Sequence, residues 1–586
     1  MSYETLIDAS MGRSKADLVI RDVNIVDVNS REILEGGLAI KGNTICRIGE
    51  VKDLIGSSTK VIKGRGKYVV PAFIESHIHV ESTMLTLTEF ARGVVPHGTG
   101  TAIIDPHEIA NVTGIRGIEI FMKELRNLPL GVYIEVPSCV PAAPPELETS
   151  GADLDAFTID RLLQSPIVIG LGEVMNMPAV LAKDEDIHLK IQFARSQGKV
   201  VEGHAPGLTG KELNAYIAAG IMSDHECETA EEAFERLRLG MTVMCREGSI
   251  AKNMLDLLLP LYKHGRDLRR CTICSDDLSP IELADVGHLD RSLRRAIEAG
   301  IDPLIALQLV TVNPAQFFNL HRLGILAPGY IADITLLENL KNVNVELVIH
   351  QGNVVAKNGR LLTKLPKYEY PQDLKSTIRF AVIPTPIHYM VQAADGNHKA
   401  WVIAANEGSL ITGKDTAILQ AQDGYVKPDP EQDVLTIAVT ERYMKRSGIG
   451  VSFVKGFGLK TGAIASSIAH DSHNIITVAT SPQDALMAIS GVSQIQGGLV
   501  AVRGTKVLAS LPLPIAGLLT DKPVDKVAKA LREVRAAAKE LGCTLEHPFL
   551  TMSFMALPVI PALKITDRGL VDVTQMKIIP PLIKKG

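Results

Sequence analysis

Short apolar runs recur through the middle of the chain, and segments with apolar residues at helical spacing separate them. After the run YVVPAFIE, they lie in the stretches TGTAIID, GVYIEVPS, SPIVIGLGE, GKVVEGHA, GIMSDHE, MTVMCREGS and RCTICSDD. Strands that alternate with helices over about 250 residues are typical of a parallel barrel. The pattern therefore predicts an α/β fold with a (β/α)8 TIM-like barrel over residues 71–322.

The pattern on both sides of this region is that of an all-β unit. The stretch ADLVIRDVNIVDVNSREILEGGLAIKGN shows short strands broken by Asn-Ser, Gly-Gly and Gly-Asn turns. Strands and turns return near Leu326, where VELVIHQGNVVAKNG loosely echoes the first segment. We therefore expect one split β-sandwich domain built from both flanks, residues 1–70 together with 323–375.

A third region follows a Pro-rich polar segment, residues 364–373, which is typical of a linker. We expect residues 376–586 to form a C-terminal α+β domain. Within it, PVDKVAKALREVRAAAKELG has apolar residues at helical spacing, and this favours a helix with a packing face.

Polar residues follow several of the apolar runs directly. FIESHIHVES places two histidines one residue apart, and alternation along a strand would put both, and then Glu81, on one face. The carboxyl ends of barrel strands carry the chemistry of such enzymes, so residues at those ends are candidate site residues. The candidates at separate strand ends are His77, His79, Glu173, His204, His225 and Asp276.

These six residues point to a metal site. Imidazole and carboxylate together suit Zn, Mn or Fe, and one carboxylate between two histidine groups can bridge two ions. Taken singly, each residue has a plainer interpretation: His204 as a turn residue, His225 and Asp276 as helix caps, Glu173 as a buried pair partner. Six such residues at separate strand ends favour the metal site.

Composition narrows the classes of partner. Hydrophobic residues make up 46% of the chain, charged residues 22%, and the net charge is -5. A duplex-binding protein would show a basic stretch, so we expect no nucleic-acid partner. The sequence shows neither a signal peptide nor an apolar window of the roughly 18 to 20 residues that cross a membrane. We expect a cytoplasmic protein without a membrane partner, whose seven cysteines are reduced and mostly buried.

Longer motifs carry a resemblance to a known family. The ligand order and LGILAPGYIADI resemble the amidohydrolase superfamily, whose members are metallo-hydrolases on TIM-like barrels. Within it, the chain resembles the bacterial and archaeal adenine deaminases over nearly its whole length. The motifs that carry this narrower resemblance are FIESHIHVESTML, PHGTGTAIIDPHEIANVTG, GLGEVMNMP, EGHAPGL, SDHE, AHDSHNI and FMALPVIPALKITDRGLVDV.

The resemblance implies a function and roles for particular residues. It implies metal-dependent hydrolysis of adenine to hypoxanthine and ammonia, as in purine salvage, with two divalent ions, Mn or Fe and alternatively Zn. One ion would bind His77, His79 and Asp276, the other His204 and His225, and Glu173 would bridge them. Asp276 would also be the catalytic acid and base, with Asp277 as its rival for the inward position. The substrate-binding candidates are Asp105, His107, Glu108 and Glu81.

Some alternatives stay open at this stage. The substrate could be a cyclic amide or a related aminopurine, or the barrel could be an inactive binding scaffold. DPHE could be a plain helix start. His470, Asp471 and His473 could close over the site or bind a further ion. We expect a homo-oligomer, a dimer, although the sequence itself does not fix the oligomeric state.

A different zinc deaminase signature combines His-x-Glu with Pro-Cys-x-x-Cys. His79-Val80-Glu81 and Cys271-Thr272-Ile273-Cys274 imitate its two halves. However, Arg270 rather than Pro precedes the first cysteine. This interpretation also leaves the other histidines and Glu173 without a role, so it is disfavoured.

Overall fold

A parallel barrel lies at the centre of the molecule, and its strands are those that the apolar runs predict. The structure is a computed structural model that describes residues 2–584. The barrel strands are β1 (Phe73–Ile78), β2 (Thr99–Ile104), β3 (Gly131–Val136), β4 (Val168–Val174), β5 (Val200–Gly203), β6 (Ser223–Asp224), β7 (Thr242–Arg246) and β8 (Cys271–Cys274).

Hydrogen bonds close these strands into a ring. Parallel pairing joins β1 through β5 in order, and it also joins β6, β7 and β8. Between β5 and β6, the Met222 N–H donates to the Val201 carbonyl at 2.9 Å. Between β8 and β1, the Asp276 N–H donates to the His77 carbonyl at 3.0 Å, and the His79 N–H donates to the Asp276 carbonyl at 2.9 Å. The predicted TIM-like barrel is confirmed.

Helices between and after the strands cover the barrel. Side-chain caps begin several of them: the Asp184 carboxylate accepts the Ile187 N–H, and Thr229 and Glu232 form a capping box. The helices are Leu87–Val94, His107–Thr113, Ile115–Glu124, Ala156–Leu163, Met177–Ala182, Glu185–Ser196, Gly210–Ala218, Ala230–Arg238, Met254–Lys263, Pro280–Asp285, Leu289–Glu298, Pro303–Gln308 and Val312–Phe317.

The two flanks of the barrel contribute strands to one sheet. Strand Tyr68–Pro71 pairs antiparallel with Ile334–Leu337, which joins the N-terminal strands to those that follow the barrel. A helix that the sequence did not predict, Tyr3–Ser10, precedes this sheet. The other strands of the sheet are Leu18–Asp27, Glu32–Lys41, Thr44–Gly49, Lys60–Lys63, Val345–His350, Asn353–Lys357 and Arg360–Leu361.

The predicted linker is held against the barrel. Tyr370 is buried, and its hydroxyl donates to the carboxylate of Glu124 in a barrel helix. The segment therefore connects two regions and is packed against the barrel instead of being a free linker.

The C-terminal region combines a large mixed sheet, a small three-stranded sheet and helices. The helices are Pro482–Gln494, Val524–Glu540 and Pro548–Phe554. The large sheet contains Val391–Gln392, Gly396–Ala404, Gly413–Gln422, Tyr425–Val426, Leu435–Thr440, Ile449–Lys455, Ala463–Ser466, Ile475–Ala479, Gly498–Arg503 and Lys506–Pro512. The small sheet contains Leu563–Thr566, Gly569–Asp572 and Lys577–Ile579.

Short 3-10 turns occur in all regions of the chain. They are Lys52–Leu54, Val80–Thr83, Val95–His97, Gln372–Lys375, Pro386–Tyr389, Pro430–Gln432 and Val573–Gln575.

Helix Val524–Glu540 docks this region on the barrel. It buries Leu531 and other apolar residues of one face, as its periodicity predicts. It packs on barrel helix Pro280–Asp285, and Arg532 forms an ion pair with Asp285 at 2.5 Å. The C-terminal region therefore lies over the barrel end that carries the site.

Two further features of the structure concern membrane-spanning helices and the cysteines. Within residues 2–584, no helix combines the length and the apolar character needed to cross a membrane. All seven cysteines are buried and unpaired. Cys271 and Cys274 belong to two different hydrophobic clusters within the barrel, so they are core residues on separate sides of β8.

Candidate metal centre

The six predicted ligands converge at the carboxyl end of the barrel. His77 and Glu173 belong to β1 and β4, and the three other histidines directly follow β1, β5 and β6. Asp276 is the second residue after the end of β8. Five of the six side chains are buried, and His204 is half-buried. The structure thus brings together every residue of the predicted set.

The Glu173 carboxylate lies between two groups of histidines. Its Oε1 is 3.0 Å from His79 Nε2, and its Oε2 is 2.6 Å from His204 Nδ1 and 3.2 Å from His225 Nε2. Burial raises the pKa of Glu173, but His79 and the hydrogen bonds from other histidines outweigh it and hold that pKa well below its ordinary value. The carboxylate is therefore ionised and has one oxygen on each side.

Asp276 completes the cluster on the side of β1. Its Oδ1 is 3.3 Å from His79 Nε2 and 3.7 Å from His77 Nε2. Its backbone is left-handed, with φ of 60°, so the strand geometry has already ended at this residue. Asp277 consequently also faces the barrel mouth, where it lines a cavity. Asp276 and Asp277, which the sequence presents as rivals for the inward position, therefore both lie at the barrel mouth.

Neighbouring groups fix the orientation of two histidines. His77 Nδ1 is 2.7 Å from Glu202 Oε2, and His79 Nδ1 is 2.9 Å from the carbonyl oxygen of Asp105. Because these acceptors face the Nδ1 atoms, both Nε2 atoms are turned toward the cluster. Metal-binding histidines are held by this kind of outer hydrogen bond in most sites.

The donor set fits divalent ions. Three-residue groups, each with ligand atoms within 4.8 Å of one another, are formed by His77, His79 and Glu173 and by Glu173, His204 and His225. His77 Nε2 is buried and has no hydrogen-bond partner. Burial lowers the pKa of His77, yet Glu202 outweighs it and raises that pKa to about 9, so the site favours positive charge. A nitrogen and oxygen cluster of this kind suits Mn, Fe or Zn.

The four substrate-binding candidates fall into two groups. Asp105 is buried beneath the cluster, and its Oδ2 accepts the Glu173 N–H at 3.1 Å. His107 begins a helix, as the plainer interpretation of DPHE expected, and its Nδ1 is 3.4 Å from Glu173 Oε1. Glu81 and Glu108 instead line the cavity at the barrel mouth. Glu81 reaches it from the 3-10 turn Val80–Thr83, because the strand ends at Ile78.

This cavity separates the barrel from the C-terminal region and has a volume of about 70 Å³. Acidic groups line it on the barrel side, namely Glu81, Glu108 and Asp277. The C-terminal region contributes His470 and Arg535 together with apolar side chains such as Phe549. A concave space with apolar walls and a few polar groups is the usual form of a small-molecule site.

Comparisons with known proteins show the family to which this chain belongs. The profile of the amidohydrolase family matches residues 68–355, and the profile of the adenine deaminase C-terminal domain matches residues 409–577. An adenine deaminase of Dehalococcoides mccartyi is 43% identical to this chain over 98% of both chains. One of Moorella thermoacetica is 42% identical over 98% of this chain and 97% of its own. The chain belongs to the adenine deaminase family.

The resemblance seen in the sequence motifs is thereby confirmed. Among solved structures, a beta-aspartyl dipeptidase of Fervidobacterium islandicum AW-1 is similar at 17% identity, covering 61% of this chain and 100% of its own, with a TM-score of 0.47. Membership of the adenine deaminase family and the core positions of Cys271 and Cys274 both disfavour the Cys-x-x-Cys interpretation.

Sequence reasoning missed several residues around the centre of this adenine deaminase family member. Arg246, at the end of β7, is buried and pairs with Glu226, and its Nη1 is 3.2 Å from Asp276 Oδ2. Glu202 supports His77 from β5. Signals existed for both, since Arg246 ends an apolar run and Glu202 precedes His204 by two residues in a strand.

Proposed function

We propose that this chain hydrolyses the 6-amino group of adenine to give hypoxanthine and ammonia, with two divalent ions at the Glu173 cluster. Mn and Fe are the expected ions, with Zn as the alternative. The observation that carries the proposal is the Glu173 carboxylate, which has one oxygen toward each histidine group, in a chain whose full-length relatives are adenine deaminases.

The distances around Glu173 support a ligand assignment. We assign His77, His79 and Asp276 to one ion, His204 and His225 to the other, and Glu173 to both. When bound, such ions lower the pKa of water from 15.7 to about 7, which makes hydroxide available near neutrality.

Asp276 has the position of the catalytic acid and base. It lies against the histidines on one side and Arg246 on the other. Burial raises its pKa, while His79, His225 and Arg246 outweigh it and keep that pKa far below the ordinary value, so the group begins as a carboxylate. From this position it can take a proton from the attacking water and pass it toward the leaving amine.

Glu81 and Glu108 are the purine-binding residues that we propose from the barrel. Glu81 Oε1 accepts the Ile109 N–H at 3.0 Å, whereas its Oε2 is buried without a partner. Burial, with the nearby Glu108 charge, raises the pKa of Glu81 to about 7, so this carboxyl can donate or accept a hydrogen bond. A purine edge offers both kinds of partner. We assign Asp105 and His107 to support of Glu173 rather than to contact with the purine.

We also propose the domain division, the location and the partners of the chain. We propose three units: the flanking β-sandwich (1–70 with 323–375), the barrel (71–322) and the C-terminal α+β domain (376–586). The shared sheet of the two flanks and the separate C-terminal sheets support this division. The unpaired thiols support a reducing, cytoplasmic location. We expect a purine base as the small-molecule partner and a homodimer, which light scattering can measure.

The alternative functions have no comparable support. An inactive scaffold would show broken ligand positions, yet all six ligand residues are in place. A substrate other than adenine would need a relative or a cavity feature that favours it.

The experiment follows adenine by its ultraviolet spectrum in metal-depleted protein, with Mn²⁺ or Fe²⁺ added and then chelated. We expect conversion to hypoxanthine that starts with the metal and stops with the chelator. A panel of aminopurines and cyclic amides serves as the control for specificity. Adenine left unchanged under every metal would overturn the proposal.

A further inference from the structure

His470 brings the C-terminal region to the barrel mouth. Its ring stacks on Phe554, with ring centroids 4.5 Å apart and an angle of 6° between the planes. Its Nδ1 lies 3.6 Å from Glu108 Oε1 and 3.5 Å from Asp471 Oδ1. One face of the imidazole is therefore packed against an aromatic ring, one ring nitrogen is turned toward two carboxylates, and the residue lines the same cavity as Glu81.

A metal site is the first alternative for this cluster, because Glu108, His470 and His473 have ligand atoms close together. The hydrogen bonding of His473 argues against it. The Ala469 N–H donates to His473 Nδ1 at 3.3 Å, so the proton of the neutral ring is on Nε2, which faces Glu108 Oε2 at 3.9 Å. Burial and the neighbouring His470 lower the pKa of His473 well below its ordinary value, which keeps the ring neutral. A protonated ring nitrogen has no lone pair for a metal.

The walls of the cavity indicate what it holds. Apolar side chains of both regions line it, Leu278 from the barrel and Leu531 from the C-terminal region, together with polar side chains. Apolar walls with a few polar groups suit a flat heterocycle that has polar edges.

We propose that His470 is a purine-binding residue and that the pocket of this enzyme is shared between the barrel and the C-terminal domain. The inference rests on the proposed function and adds a residue to it. Nδ1 faces Glu108 and Asp471, so the other ring nitrogen is the one that we assign to a polar edge of the base.

The test uses the full-length, Mn-loaded enzyme and the variants His470→Gln and Phe554→Leu. Adenine KM and kcat, the dissociation constant of hypoxanthine by calorimetry, and bound metal per chain are measured. Loss of one hydrogen bond to a ligand should raise KM and the dissociation constant about tenfold in His470→Gln, with unchanged metal. Phe554→Leu keeps the imidazole but loosens it, so a smaller rise is expected. His398→Gln, a partly exposed histidine of the same region, is the matched control.

Each other outcome overturns the inference. Values of KM and of the dissociation constant that stay within about twofold of the wild type in His470→Gln would contradict it. The expected tenfold change corresponds to about 1.4 kcal/mol. Metal content that falls in His470→Gln would assign the cluster to a metal. If His470→Gln does not fold, an unchanged KM in Phe554→Leu decides against the proposal. A wild-type enzyme that leaves adenine unchanged would instead overturn the proposed function itself.

Discussion

Glu173 is the residue on which both halves of the centre depend. Because its two oxygens face different histidine groups, loss of its charge removes a contact from each half at once. A ligand at only one ion would leave the other half intact.

Substitution of Glu173 by Gln should therefore remove both metal and activity. We expect kcat/KM to fall by roughly 100-fold or more, since even outer partners of metal ligands cost 10- to 100-fold. Steady-state kinetics with metal analysis checks this, with the exposed Glu185→Gln as the control. Near-normal turnover in Glu173→Gln would show that the bridging assignment is wrong.

Glu202 acts one step further out, through His77. It is fully buried, and Glu135 lies beside it with both carboxylate oxygens unpartnered. Burial and the neighbouring Glu202 raise the pKa of Glu135 well above its ordinary value, which favours a protonated Glu135, while Glu202 Oε2 faces His77 Nδ1.

Substitution of Glu202 by Gln should weaken metal binding while the fold is kept. We expect the affinity for Mn²⁺ to fall roughly 10- to 100-fold, as for other partners of ligating histidines. Titration of the metal-free protein measures the affinity, and Glu212→Gln on an exposed helix position is the control. An affinity equal to that of the wild type would remove Glu202 from the centre.

Single residues are predictable from the sequence when the neighbouring residues indicate their role, and not when the role depends on distant partners. The six proposed ligands lie at the ends of apolar runs, so the pattern alone predicts them as candidates. The roles of Glu202 and Arg246 depend on partners from other strands, which no local pattern contains. The orientation of Asp277 depends on the left-handed backbone at Asp276, and strand alternation gives no warning of it.

Among the elements, strand Leu563–Thr566 contains an unusual buried cation. Lys564 is fully buried, and its Nζ donates to the carbonyls of Leu410 and Phe554, both at 2.8 Å. Phe554 is the last residue of helix Pro548–Phe554, whose carbonyl end favours a cation. Burial nevertheless lowers the pKa of Lys564 from 10.5 to about 7.

This shift has a definite sign in the pH dependence of stability. Between about pH 7 and 10.5, the unfolded chain keeps a proton that the folded chain has released, so the free energy of unfolding rises with pH. Relative to Lys564→Met, the wild type should gain up to about 1.4 kcal/mol per pH unit in that window. Denaturant unfolding from pH 6 to 9 checks this, with exposed Lys577→Met as the control. A difference that does not change with pH would contradict the prediction.

Strands and helices with strong periodicity were predictable from the sequence, as the barrel strands and helix Val524–Glu540 show. Helix Tyr3–Ser10 was not, because it is short and only Ala9 of it is buried. The segment around Tyr370 has a linker composition, and its attachment to Glu124 depends on a tertiary contact.

For the whole molecule, the centre links metal binding to stability. Chelation should lower the unfolding midpoint, because a ligand at 100 times its dissociation constant adds about 2.7 kcal/mol for each site. Differential scanning fluorimetry of the native, chelated and Mn- or Fe-restored protein measures the midpoint. A midpoint that stays constant in protein shown to have lost its metal would contradict the prediction.

The placement of the C-terminal region over the barrel could not be predicted from the sequence. It depends on contacts such as the Thr520 N–H with the Met84 carbonyl at 2.9 Å and on the docking of helix Val524–Glu540. Each contact joins residues far apart in the chain, and their local sequences do not indicate a partner.

The hydrogen bonds that close the barrel between β8 and β1 are made by His77, His79 and Asp276, which are also candidate ligands. Closure of the barrel therefore also brings Asp276 to His77 and His79, the three residues that we propose for the first metal position. During synthesis, a chain that has not yet emerged as far as β8 holds His77 and His79 without Asp276. Full coordination at this position thus becomes possible only once the whole barrel has been made, and premature capture of an ion is disfavoured.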